Sequence, residues 1–457
     1  MLHPTLADAK TKVAWLDDPD RPTRTAPLVD DIEADLAVVG GGYTGLWTAL
    51  LAAEAGRSVV LVEQEGCGDG ASGRNGGFVS ASLTHGFGNG LARWPDELDR
   101  LDELGAQNLR EMGETIARLG IDCDFHLAGE LSIAATRSDL EGLREEYEEM
   151  RARGRDVRWL EPSEIGARSE SFLGGVLEPN AALVEPARLA WGLRQACLDA
   201  GVRLYESTPV HTLSDTGQRV VLSTPQGSVS ADKVALGSNA WAPLVKGPGS
   251  RIVPVYDYVL MSEPLTDEQW EALGWHDGYG LADASPLFVY YRLTRDRRIL
   301  WGGYDAVYHF GGRTGRDLEV EPTTHERLAQ IFRARFPQVA ELRWEYRWAG
   351  VIDTCSRFSA FFGTAHQGKV AYALGYTGLG VGATRFGAQV MLDLLSGAQT
   401  PRTRLEMVRT KPLPFPPEPI RWAGINLTRR AMAKEAATGR HGPWLRLLDK
   451  LGLGFDS

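Results

Sequence analysis

Positive charge is in short supply. Against 60 Asp and Glu stand 49 Lys and Arg, giving a formal net charge of -11 over 457 residues. No global positive field exists to draw in nucleic acid, so no nucleic-acid partner is expected. Cysteine is scarce too: Cys67, Cys123, Cys197 and Cys355 form no C-x-x-C pair and sit near no cluster of His. That excludes a disulfide framework and a zinc site, and no metal is expected. No apolar run approaches the roughly 18 residues a membrane span needs. The segment Met1–Asp8 lacks the basic-then-apolar pattern of a signal peptide. The expectation is a cytoplasmic protein with reduced thiols. Internal repeats are absent as well.

What is present is an ordinary globular composition, 43% hydrophobic and 24% charged. The length exceeds what one core supports, so two domains with a cleft between them are predicted. Residues 1–33 read as a polar arm packed on the surface of the adjoining domain. Ala34–Gly40 reads as a short buried strand, 46–55 as a helix and 58–63 as a second strand, which starts a parallel sheet. Residues 92–155 carry Glu, Arg and Leu at helical spacing. Helix and strand alternation resumes at 186–200, 203–205 and 227–236. Alternating apolar and aromatic positions in 251–261, 287–293 and 297–303 predict an antiparallel sheet. A Pro-rich connector from Lys411 leads to a basic helical tail, read as docked on the domain surface, with a partner contact as the second reading.

Gly40-Gly41-Gly42-Tyr43-Thr44-Gly45 satisfies G-x-G-x-x-G between strand and helix. Gly40 permits the tight turn, Gly42 admits a pyrophosphate to the helix N-terminus, and Gly45 lets helix and sheet approach. Glu63 ends the second strand, where it can accept ribose hydrogen bonds and repel a 2'-phosphate. FAD or NAD is favoured over NADP.

A second glycine-dense stretch runs through Gly66-Cys67-Gly68-Asp69-Gly70-Ala71-Ser72-Gly73-Arg74-Asn75-Gly76-Gly77. A nicotinamide enzyme has no need of it there, whereas small residues would let the backbone pass under a flavin. A third cluster, Gly375-Tyr376-Thr377-Gly378-Leu379-Gly380-Val381-Gly382, precedes the helical stretch 383–395. Its free N–H groups could stabilise a reduced flavin's negative charge. Together these strings resemble the D-amino-acid-oxidase-like FAD oxidoreductases, the group with glycine oxidase and sarcosine oxidase, and look most like the gamma-glutamylputrescine-oxidase branch. The resemblance covers roughly residues 30–400. It implies further FAD contacts at Ser238, Asn239 and Trp241, at Gly350, and adenine pairing near Val210.

The resulting fold reading is α/β: a Rossmann-like FAD-binding domain (34–90, 155–248 and 346–400) with a discontinuous α+β substrate domain of antiparallel sheet (91–154 and 249–345). An N-terminal arm (1–33) and a C-terminal connector and tail (401–457) flank them. The resemblance implies hydride removal from the carbon next to an amine, transfer to flavin N5 and hydrolysis of the imine, with oxygen or another acceptor as oxidant. A homo-oligomer is compatible with the sequence. Relatives commonly carry a lysine after the third cluster that helps hold a substrate carboxylate; Val381-Gly382-Ala383 stands here. Substrate-pocket candidates are Tyr256, Tyr258 and Trp301, with Tyr290, Tyr304, Asp257 and Asp305 able to join them around a cationic amine. Cys355 and His85 read as a free thiol and a loop residue rather than flavin attachments. The rival readings are a flavin monooxygenase or other FAD oxidoreductase, and a flavin-carrying subunit of a complex. No second complete G-x-G-x-x-G unit for a nicotinamide is found.

Overall fold

The computed structural model describes residues 3–241, 244–276, 278–285, 287–303, 305–451 and 453. Their backbone builds two large sheets. In the first, Asp31–Val39 pairs in parallel with Val59–Val62 on one side and Ser228–Leu236 on the other. Arg203–Tyr205 continues the sheet past Val59–Val62, while Val370–Leu374 and Phe361–Ala365 continue it past Ser228–Leu236. Leu36, Ala37 and Val38 are wholly buried, as a parallel strand covered on both faces requires. The helix Tyr43–Glu54 packs against Pro186–Asp199 and Gly380–Ser396.

The second sheet runs in the order Trp344–Cys355, Ile252–Ser262, Ile299–Gly303, Val289–Leu293, Gly280–Asp283, Glu130–Ala134, Gly174–Glu178, Arg158–Leu160. It is antiparallel except where Gly280–Asp283 meets Glu130–Ala134 in parallel. Strand membership departs from the sequence division at three places. Arg158–Leu160, Gly174–Glu178 and Trp344–Cys355 hydrogen-bond in this sheet rather than with the nucleotide-binding strands. A Rossmann pattern read from strand–helix alternation cannot tell which sheet a short strand joins.

The two faces of the second sheet have different partners. Tyr258, Leu260, Tyr291 and Trp301 lie in a core with Phe332 and Phe336 of the helix Pro322–Arg335 and the turn after it. Trp301 and Tyr291 stack with centroids 4.6 Å apart, an arrangement worth about 1 kcal/mol beyond burial. The opposite face looks toward the first sheet.

The arm is built in rather than laid on. Trp15 is buried, and its Nε1 donates to Asn75 O at 2.9 Å. Arg21 and Arg24 both ion-pair with buried Asp69. The C-terminal helices Ile420–Thr438 and Pro443–Lys450 also have a role the sequence did not reveal: they wall a cavity.

Candidate functional site

A cavity of about 1480 Å³ lies between the sheets. That exceeds the roughly 300–1,000 Å³ of an ordinary small-ligand pocket, leaving room for a dinucleotide and a second molecule.

The first glycine motif forms one end. Gly40 turns at φ +107, and a Cβ there would lie 2.6 Å from Gly237 O. Gly42 caps the helix Tyr43–Glu54 without a side-chain hydrogen bond, so the helix presents its N-terminus to the cavity. Glu63 takes N–H bonds from Gly41 at 2.5 Å and Glu65 at 2.9 Å, while burial pushes its carboxyl up to about 7. Val210, Ser238, Asn239 and Trp241 line the same end.

The second string is a self-braced loop. Asn75 donates to Ala71 O and Ser72 O and accepts from Gly77 N–H at 2.8 Å. Ser72 Oγ accepts from Tyr43 N–H, tying the string to the first motif. Trp348 Nε1 donates to Arg74 O at 2.8 Å, so Trp15 and Trp348 hold consecutive carbonyls of the loop. Neither tryptophan was legible as a site residue, because both come from distant segments.

The third string rests on Asp353, which carried no signal in the sequence. Its carboxylate accepts the N–H groups of Gly375 at 2.5 Å and Tyr376 at 3.2 Å, and burial lifts its pKa to about 7. Asp353→Ala strands both donors; the expected loss is about 1–3 kcal/mol of stability, read from the denaturant midpoint. Thr377 and Asn239 both sit at φ +49 on the cavity wall, a backbone that only firm surroundings maintain.

Not every predicted glycine touches the cavity. A Cβ on Gly45, Gly73 or Gly77 would lie within about 2.2 Å of a backbone oxygen, and one on Gly375 would meet Phe361 and Cys355. These four let chain segments pass one another, whereas Gly70, Ala71, Gly76, Gly350, Gly378, Leu379 and Gly380 form wall.

The aromatic expectations on the second sheet need correction. Tyr258 and Trp301 do not line the cavity. Tyr258 OH donates to Leu318 O and Trp301 Nε1 to Leu328 O, both in the opposite core. Tyr256 does line the cavity, where its hydroxyl donates to Gly315 O and accepts from Gly315 N–H. Strand alternation sends Tyr258 and Trp301 away and turns Asp257 inward. Tyr290 lies across Gly302, where a Cβ would be 2.5 Å from its hydroxyl, and donates to Asp257 Oδ2 at 2.5 Å. Its ring also covers Gly76. Burial raises Asp257 to about 6. Asp305 is ion-paired with Arg429, and Tyr304 lies outside the described residues.

Cys355 is a buried free thiol donating to Ser359 O at 3.1 Å, with its pKa pushed up by burial. His85 is a wall residue: its Nε2 bonds Thr377 O at 2.9 Å, and burial lowers its pKa.

The residues present fit a flavin dinucleotide. Close-packed glycines leave a cradle where side chains would clash, a helix N-terminus faces it, and Arg74 Nε is buried with no hydrogen-bond partner among the described residues. Similarity to known proteins points the same way. Gamma-glutamylputrescine oxidoreductase of Escherichia coli is 32% identical over 383 residues, 81% of this chain and 85% of that protein. Glycine oxidase of Geobacillus kaustophilus is 30% identical over 298 residues, 62% of this chain and 78% of that one. The crystal structure of glycine oxidase from Geobacillus kaustophilus superposes with a TM-score of 0.68 at 21% identity, covering 81% of this chain and 96% of that chain. The family model described as FAD dependent oxidoreductase matches residues 35–394, the span that contains all three glycine strings. With cradle, sheet order and relatives in agreement, this chain belongs to the FAD-dependent oxidoreductase family.

Proposed function

We propose that the protein oxidises an amine at its carbon–nitrogen bond, with Asp257 and Tyr290 holding the nitrogen. One observation carries this reading: Asp257 faces the cavity with no basic partner among the described residues, while every arginine of the wall is already neutralised. Arg74 pairs with Glu319, Arg316 with Glu65, Arg421 with Glu418 and Arg429 with Asp305. A substrate carboxylate therefore finds no free guanidinium, and an ammonium finds a carboxylate that no cation neutralises.

Gly40, Gly42 and Thr44 would hold the pyrophosphate, Glu63 the ribose, and Ser72, Arg74, Asn75 and Gly76 with Gly350 and Gly378 to Gly380 the ring. When bound, FAD supplies the hydride acceptor. Asp257 orients the amine, and its carboxylate receives the proton that an ammonium must release. Tyr290, Phe78 and Phe288 exclude water beside it. The product imine then hydrolyses to a carbonyl compound and an amine.

Anaerobic titration of the flavoprotein tests the reading through the visible flavin band. Bleaching by simple amines and diamines is expected; bleaching by glycine, sarcosine or D-alanine alone would overturn it.

The C-terminal helices close the outer wall with Ile425, Met432, Trp444, Leu445 and Leu448. Deleting residues 420–457 is expected to raise iodide quenching of flavin fluorescence severalfold. Unchanged quenching would show that these helices do not shield the ring.

A further inference from the structure

A second carboxylate faces the cavity without a cation. Glu130 opens the strand Glu130–Ala134, in register with Gly280 of the neighbouring strand. It lines the cavity, and its carboxyl forms no hydrogen bond or ion pair with any described residue. Burial lifts its pKa to about 7. Two further acids of the wall also lack a basic partner, but their places are taken. Glu63 and Asp353 accept backbone N–H groups. That leaves Asp257, which accepts from the Tyr290 hydroxyl and from the backbone N–H groups of Tyr258 and Gly303, and Glu130, which accepts from none.

Aromatic surface spans the interval between them. Tyr290, whose hydroxyl reaches Asp257, meets Phe78 edge-on at 5.7 Å and Phe288 at 6.4 Å. Phe78 in turn lies against Gly280, where a Cβ would intrude on its ring. Ring faces of this kind receive alkyl chain and charged nitrogen alike. Asp257 and Glu130 stand on strands separated by three others, so their backbones are roughly 19 Å apart by strand spacing alone. Side chains leaning inward shorten the gap. A short diamine still falls well short of it.

We propose that Glu130 is a specificity-determining residue that holds the far ammonium of the substrate whose reacting amine lies at Asp257, which makes the substrate class a linear polyamine. The inference rests on the amine reading above. Its chemistry is two-point charge recognition: an anion at each end, rings between, and no free guanidinium among the described wall residues to attract an anionic substrate.

The test is the same anaerobic bleaching, run with spermine, spermidine, 1,3-diaminopropane and n-octylamine on the wild type, Glu130→Gln and Glu130→Asp. Half-saturation by spermine or spermidine is expected at concentrations at least about tenfold below those of n-octylamine and 1,3-diaminopropane. Glu130→Gln should erase that ratio, with the loss falling on half-saturation rather than on the limiting rate of bleaching, and Glu130→Asp should restore part of it. A ratio in Glu130→Gln within twofold of wild type overturns the proposal. So does a wild type that takes n-octylamine as readily as spermine, a result that leaves the amine reading standing. Bleaching by amino acids and by none of these amines overturns both. The wild-type comparison suffices even where a variant fails to retain flavin.

Discussion

Gly45→Ala produces a chain that carries no flavin. A Cβ on Gly45 would lie 1.9 Å from Gly40 O and 3.2 Å from Val38 Cγ1, both parts of the strand and turn that aim the helix Tyr43–Glu54. Backbone cannot give way as a flexible side chain does. The helix must back off, and overpacking of this sort costs about 1–3 kcal/mol or more. Because the helix N-terminus and the Gly40 turn shift together, the whole loss falls on the dinucleotide. The measurement is flavin absorbance per protein after saturation with FAD, with apparent affinity expected to fall by about a hundredfold or more. Gly142→Ala is the control. It lies within the helix Arg137–Ala152, and a Cβ there meets nothing within 4 Å. That substitution should keep its flavin and gain about 0.5–1 kcal/mol from helix propensity. Full flavin content in Gly45→Ala would mean that close approach of helix to strand is not what the motif supplies.

Asp257→Asn should cut kcat/KM for the amine by about 30- to 5,000-fold, the range set by roughly 2–5 kcal/mol for losing one partner of a buried charge pair. Asparagine keeps a carbonyl oxygen for the Tyr290 hydroxyl, so the change removes charge more than shape. Burial holds the Asp257 carboxyl at about 6, against the opposing pull of the Tyr290 hydroxyl. Above pH 6 it is anionic and attracts the substrate; below, it is neutral and does not. Wild-type kcat/KM should therefore rise through about pH 6, and that limb should vanish in Asp257→Asn. Stability has the opposite sign. A carboxyl whose folded pKa is raised favours folding while protonated, and that contribution disappears as pH rises from about 4 through about 6. At pH 8 the asparagine variant should accordingly melt no lower than wild type. An intact acid limb in the variant, or a large fall in its Tm, would remove Asp257 from substrate binding.

The first motif was legible because its parts are contiguous. Strand, turn and helix follow one another without a break from Asp31 to Glu54, and local sterics alone require glycine at Gly40, where φ is +107. The helix Gly380–Ser396 begins three residues earlier than its apolar run suggested, since Gly380 and Gly382 carry no helical signal. Asp353 gave no signal either. A lone acid in a strand acquires its function only when the fold brings the N–H groups of Gly375 and Tyr376 to it. Trp15, Trp348 and the C-terminal helices were hidden for the same reason, each reaching the site from far along the chain.

By itself the sequence determined that this chain folds around a dinucleotide in a strand–glycine–helix unit and carries two further glycine strings suited to a flavin. These are consequences of backbone conformation over a few residues. It left open which side chains of Ile252–Ser262, Val289–Leu293 and Ile299–Gly303 face the cavity, since all three strands are rich in aromatics. Tertiary structure decided that by parity. Once Trp301, Tyr258 and Tyr291 pack against Phe332 and Phe336, alternation leaves Asp257 and Tyr290 to face the cavity, and register across Gly280–Asp283 adds Glu130 to the same wall.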